Sequence, residues 1–142
     1  MGEERIDGCI FCAIVDGVMP AQIVDSDDRT VAFMDINPAT RGHALVIPRV
    51  HAVDLYDVSE EDLAATILAA KRLAHRMRDL LSPAGINLLN SSGQVAWQSV
   101  FHFHIHVIPR YTDDPLKLPW LPGPGDGDEI SRAAAVLRGE GP

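Results

Sequence analysis

The stretch Gln98-Ser99-Val100-Phe101-His102-Phe103-His104-Ile105-His106-Val107-Ile108-Pro109 decides the fold. Three of the chain's six histidines stand in it, at every second position. A strand turns successive side chains to opposite faces, so His102, His104 and His106 share one face and Phe101, Phe103, Ile105 and Val107 the other. A helix would scatter the imidazoles around its axis. The β-branched and aromatic residues also favour a strand, expected from Val100 to Ile108, with Pro109 ending the run.

Along a strand rising ~3.3 Å per residue, adjacent imidazoles lie about 6.6 Å apart and the outer pair about 13 Å apart. Metal–nitrogen bonds are about 2.1 Å, so two of the three can reach one ion and all three cannot. The row therefore implies divided labour. One imidazole reacts, and the others orient it or bind something else.

Upstream of this stretch, Gln22 to Asp25 and Thr30 to Met34 read as strands around the turn Ser26-Asp27-Asp28-Arg29. His43 to Pro48 is a third strand, and its unbroken apolar run Ala44-Leu45-Val46-Ile47 marks it as central. Ser59 caps the one long helix, with Glu60, Glu61 and Asp62 in its first turn. Leu63, Ile67, Ala70, Leu73, Ala74 and Met77 form its predicted apolar stripe, and Ser82-Pro83-Ala84-Gly85 stops it. Ile86 to Asn90 is the fourth strand, followed by a polar loop from Ser91 to Trp97. Ile10 to Val15 is a brief helical turn beside the cysteines. This order implies an α+β fold, a five-stranded antiparallel sheet with the long helix packed on it. One domain is expected over residues 1–142, with its core at about 8–111. The rest is rich in proline and glycine, an irregular extension with a short helix at Asp128 to Arg138.

The 142 residues suffice for one real core. Twelve basic against twenty acidic residues give a net charge of −8, which argues against binding nucleic acid polymers but not a nucleotide monomer. No apolar run is long enough to span a bilayer, and the N-terminus lacks the pattern of a signal peptide, so a cytoplasmic protein with no membrane partner is expected. The two cysteines, Cys9 and Cys12, form a Cys-x-x-Cys pair. In a cytosolic chain such a pair points to a metal or redox site before a structural disulfide. The redox reading is weaker, because no thioredoxin-like βαβ pattern follows.

The run His-Phe-His-Ile-His-Val-Ile after Gln98-Ser99-Val100 resembles the signature of the histidine triad family of nucleotidyl hydrolases and transferases. The resemblance extends to Ile10-Phe11, to Phe33-Met34-Asp35-Ile36 and to the segment from Gly42 to Arg49. It implies the antiparallel fold above and a homodimer paired through the long helix and the strand Ile86 to Asn90. The implied reaction starts with attack by His104, the middle histidine, on an α-phosphate. A covalent nucleotidyl intermediate would then be hydrolysed. His106 and His43 take support roles. Ser99 matches a serine near the scissile bond, and a bend is needed to turn its hydroxyl there, since a regular strand puts it on the apolar face. Trp97 stands where the family usually has glycine. Asp35 is expected to accept hydrogen bonds from both ribose hydroxyls. Ile36, Phe33, Phe11, Ile10 and Ile14 would hold a purine. Gln98 and either Asn90 or Ser91 would lie near the phosphate. Imidazoles and N–H donors can stabilise the phosphate, so no catalytic metal is expected. A branch of the family carries structural zinc, and its ligands match Cys9, Cys12, His51 and His102. The expected substrate is a purine nucleoside phosphoramidate or similar nucleotide. A dinucleoside polyphosphate hydrolase or phosphorylase, and a nucleotide-binding module without turnover, stay open.

Overall fold

The computed structural model describes residues 6–141. Elements follow in the order α1 (Ile10–Val15), β1 (Ile23–Ser26), β2 (Thr30–Met34), β3 (Ala44–Pro48), α2 (Glu60–Leu81), β4 (Gly85–Leu89), β5 (Ile105–Arg110) and α3 (Gly127–Leu137). The strands form one antiparallel sheet in the order β1-β2-β3-β5-β4. The central place of β3 explains its continuous apolar run, because both faces of a middle strand are covered.

On one face α2 packs over Ala32, Ala44, Val46, Phe103, Ile105 and Val107. Ser59 caps α2 by accepting the Asp62 N–H at 3.1 Å, with three acids in the first turn to meet the helix dipole. The buried stripe is rotated from the predicted one. Thr66, Ala69, Ala70, Leu73 and Met77 are buried, while Ile67 is 41% exposed. Small side chains let the helix axis approach the sheet, so Thr66 and Ala69 take the contact that hydrophobicity alone assigns to Ile67. Thr66 satisfies its hydroxyl by donating to the Asp62 carbonyl at 2.6 Å.

The opposite face carries a second cluster, in which Phe11 and Ile14 of α1 pack against Val31, Phe33, Leu45 and Ile47. His106 pairs across the sheet with Leu45, so the triad faces the α1 side.

The triad strand is shorter than predicted and starts at Ile105, not Val100. Residues 98–104 are irregular, so His102 and His104 lie outside the sheet. Pro109 sits inside β5 rather than ending it. Its carbonyl points to the β3 side, where it accepts the Thr40 hydroxyl at 2.7 Å beyond the last β3–β5 pair. The missing N–H would point the same way, so no ladder bond is lost.

Among the described residues after Tyr111 there is no strand, and α3 buries none of its side chains. Among the described residues, no helix is long and apolar enough to cross a membrane.

Candidate functional site

Irregular residues 98–104 are held by point attachments instead of strand pairing. The buried Gln98 side chain donates to the Val53 carbonyl at 2.7 Å and the Val100 carbonyl at 3.2 Å, and accepts the Gly93 N–H at 2.8 Å. Its amide is spent on shaping the loop. The Phe103 N–H donates to the Ala52 carbonyl at 2.6 Å. Asn90 donates from Nδ2 to the His104 carbonyl at 2.9 Å and accepts the Ser92 hydroxyl at 3.2 Å. Asn90 thus grips the backbone of His104, while Ser91 is buried beside it. Trp97 adopts φ 79°, in the left-handed region that glycine enters freely. Ser99 is exposed and lines a groove of about 500 Å³ with Cys9, Ile10, His51, Val53 and Phe101.

His104 is buried, its ring 5.2 Å from Phe11 in an edge contact and 5.0 Å from His106. Its Nδ1 lies 2.7 Å from the His102 carbonyl oxygen. A carbonyl only accepts, so Nδ1 carries the proton and Nε2 keeps its lone pair. Burial first lowers the His104 pKa, against the His102 bond and Asp35, which favours the neutral, nucleophilic ring.

Gly42 turns the chain into β3 with φ 92°, and a Cβ there would come within 2.5 Å of the Leu81 side chain. That turn brings the His43 Nε2 to 2.8 Å from the His106 Nδ1. On its far side, His43 Nδ1 accepts the Ala39 N–H at 2.9 Å. A neutral His43 therefore carries its proton on Nε2 and donates it to His106, which in turn carries its own on Nε2. His104 and His106 are held in opposite tautomers. Asp35 Oδ2 lies 3.4 Å from His43 Nε2 and 3.9 Å from His106 Nδ1, and its Oδ1 accepts the Asn37 N–H at 2.8 Å. Burial lowers the pKa of His43, which Asp35 partly opposes. His106 is pushed down to about 4 by burial, then by His104 and His43.

Of the residues predicted to meet a base, Phe11, Ile14 and Phe33 are buried in the α1 cluster. Ile10 is 43% and Ile36 89% exposed. The sequence showed no sign of Ala39, whose contribution is a backbone N–H, or of the Thr40 hydroxyl that ties this loop to β5.

Cys9, Cys12, His51 and His102 converge, their ligand atoms within 4.8 Å of one another. Cys12 Sγ lies 3.4 Å from His51 Nδ1 and 3.6 Å from His102 Nδ1, and Cys9 Sγ lies 3.4 Å from His102 Nδ1. The edge between sulfur and nitrogen in a tetrahedral zinc site is about 3.6 Å, given bonds near 2.3 and 2.1 Å. His102 donates from Nε2 to the Pro48 carbonyl at 2.9 Å, which turns a lone pair on Nδ1 to the sulfurs. The donor set and its outer hydrogen bond fit a metal ion. Asp35, His43 and His106 are also close enough for one. There the Ala39 N–H keeps the proton on the inward nitrogen of His43, which does not suit ligation.

A family model described as the HIT domain matches residues 16–113. The protein called hit from Bacillus subtilis is 43% identical over 105 residues, 74% of this chain and 72% of that protein. A zinc-bound histidine triad family protein from Mycobacterium smegmatis has a TM-score of 0.75 at 38% identity, covering 95% of this chain and 98% of that one. A histidine triad nucleotide-binding protein from Candida albicans has a TM-score of 0.83 at 29% identity, covering 94% of this chain and 96% of that one. The fold, the alternating histidines and these likenesses converge on one identification: the chain belongs to the histidine triad, or HIT, family.

Proposed function

We propose that this protein hydrolyses a purine nucleoside 5′-phosphoramidate, or a related nucleotide, through a nucleotidyl intermediate on His104. The observation that carries the reading is the bond from His104 Nδ1 to the His102 carbonyl, which leaves Nε2 unprotonated and able to attack phosphorus. His106, with Nε2–H outward, would steady the phosphate and exchange a proton with the leaving group. His43 sets that tautomer, and Ser99 would meet the leaving group from its groove. The nucleotide-binding name of the Candida albicans protein supports the ligand class.

Asp35 would read the ribose hydroxyls through the remaining capacity of its carboxylate. Ile10 and Ile36 offer exposed apolar surface for the base, above a floor of Phe11, Ile14 and Phe33. Asn90, Ser91 and Gln98 would shape the phosphate loop. Zinc held by Cys9, Cys12, His51 and His102 would supply structural cross-linking, tying α1 to the segment that carries His104. The open edge of β4, with Leu88 and Leu89 exposed, supports pairing with a second copy.

A panel of nucleotides under single-turnover conditions, followed by mass spectrometry of the protein, tests the reading. The expected result is a nucleotidyl adduct on the native chain, with none on His104→Ala and turnover down by at least about 10³-fold. Turnover with no adduct, or an adduct that survives in His104→Ala, would overturn it. Binding without turnover would leave a nucleotide-binding module.

A further inference from the structure

We propose that Asp35 is a positioning residue for proton transfer, holding the Nδ1 proton of His106 while the Nε2 proton travels between His106 and the substrate. This rests on the hydrolytic reading above and adds a second task to a residue assigned to the ribose.

The resting hydrogen bonds set a problem. Ala39 N–H closes His43 Nδ1, so the single proton of a neutral His43 is on Nε2, directed at His106 Nδ1 across 2.8 Å. His106 then carries its own proton on Nε2. A neutral His106 in this tautomer can donate a hydrogen bond but cannot release the proton. Release would leave a ring with none. Drawing one from His43 only moves the deficit to a ring whose other nitrogen faces an amide. The working acid must therefore be the imidazolium, with protons on both nitrogens of His106.

In that state His106 Nδ1–H and His43 Nε2–H face each other and both need an acceptor. Asp35 Oδ2, 3.4 Å from one nitrogen and 3.9 Å from the other, can receive both. The carboxylate is 15% exposed, so water screens it little. The other titratable groups facing His106 are His104, from the segment before β5, and His43, from the turn before β3. Both oppose a charge on His106, as does burial, and Asp35 alone favours it. An anionic phosphate in the site would add to the effect of Asp35.

The cycle then balances. As His104 Nε2 bonds to phosphorus, the bond from phosphorus to the leaving nitrogen breaks, and that nitrogen takes the Nε2 proton of His106. His106 is left neutral, with its proton on Nδ1 against Asp35 and a lone pair on Nε2. Water then attacks phosphorus, the bond to His104 breaks, and the water proton returns to His106 Nε2.

Two substrates sharing an adenosine 5′-phosphoryl group separate this role from ribose binding. One is an alkylamine phosphoramidate, whose leaving group needs a proton. The other is a 4-nitrophenyl ester, whose leaving group departs as an anion. In Asp35→Asn the single-turnover rate of adduct formation at saturating substrate should fall by about 10²-fold or more with the phosphoramidate, and by less than about 3-fold with the ester. The wild-type rate of adduct formation from the phosphoramidate should fall as pH rises while that from the ester stays level, and Asp35→Asn should move this fall to lower pH. Asp35→Glu should recover part of the phosphoramidate rate. Equal losses with both substrates, a loss confined to KM, or wild-type pH profiles that coincide would overturn the proposal. An adduct on the wild-type protein with either substrate keeps the underlying reading intact in each case.

Discussion

Two clusters on the α1 face each gather a pair of histidines with other groups able to hold a metal ion, and the backbone treats the two pairs differently. Cys9, Cys12, His51 and His102 meet within bonding range of one ion, and so do Asp35, His43 and His106. The difference lies in what stands behind each ring. A carbonyl, that of Pro48, takes the outer proton of His102 and turns a lone pair inward. An amide, that of Ala39, takes the outer lone pair of His43 and turns a proton inward. One backbone group of either polarity decides whether an imidazole turns a lone pair or a proton inward. Side-chain type nominates a site, and the main chain behind it selects the chemistry.

The strongest test of this comparison is metal content. Purified protein is expected to carry about one zinc per chain, held by the cysteine cluster. Cys12→Ala should lose the zinc and lower Tm by ~10 °C or more, because metal binding energy is folding energy. Asp35→Asn should keep both the zinc and the Tm. Two zinc ions per chain, one of them lost with Asp35, would break the distinction.

Acid should next separate the clusters. His106 falls from 6.5 to about 4 on folding, so below 6.5 the unfolded chain binds a proton that the folded one does not. Through His106, stability then drops as pH falls from 6.5 towards about 4, and this group adds no further loss below. The same sign holds for His43, lowered by burial. Zinc loss also destabilises in acid, so the measurement is denaturant unfolding against pH in wild type and His106→Gln, with zinc monitored. A shallower slope in the variant at equal zinc content is expected. Equal slopes would remove His106 as a source of the acid sensitivity.

The smallest effect should come from Thr40→Val. It removes the tie from Thr40 to the Pro109 carbonyl that steadies the loop bearing Ala39, at a cost of about 1 kcal/mol. Zinc content should not change, and any fall in turnover should stay within about tenfold. A larger kinetic loss would mean that the loop, more than the amide itself, sets the tautomers.

Much of this arrangement is legible in the sequence because it repeats. Alternation placed the three histidines on one face, the unbroken run of β3 placed it centrally, and Ser59 with its acids marked the start of α2. The features that escaped are those with no local pattern. An extended but irregular chain at residues 98–104 alternates like a strand, so periodicity could not find where pairing begins. Hydropathy cannot see that α2 approaches the sheet through Thr66 and Ala69, because size decides there. The choice between Asn90 and Ser91 depended on how β4 registers with β5, a long-range property. Ring tautomers depend on backbone groups of residues whose identity carries no signal.

The attachments of residues 98–104 have a consequence for the order in which the protein becomes competent. His102 is tied to Pro48 across 54 positions, Gln98 to Val53 across 45, and Cys9 to His102 across 93. Contacts between such distant residues are costly in chain entropy and form late. The His104 ring is therefore oriented only when nearly the whole chain has closed around it. A partly folded molecule would already hold β2 against β3, and α2 could be formed, yet His104 would have no fixed carbonyl to meet and no settled tautomer. The reactivity proposed for His104 would thereby be confined to chains that have finished folding.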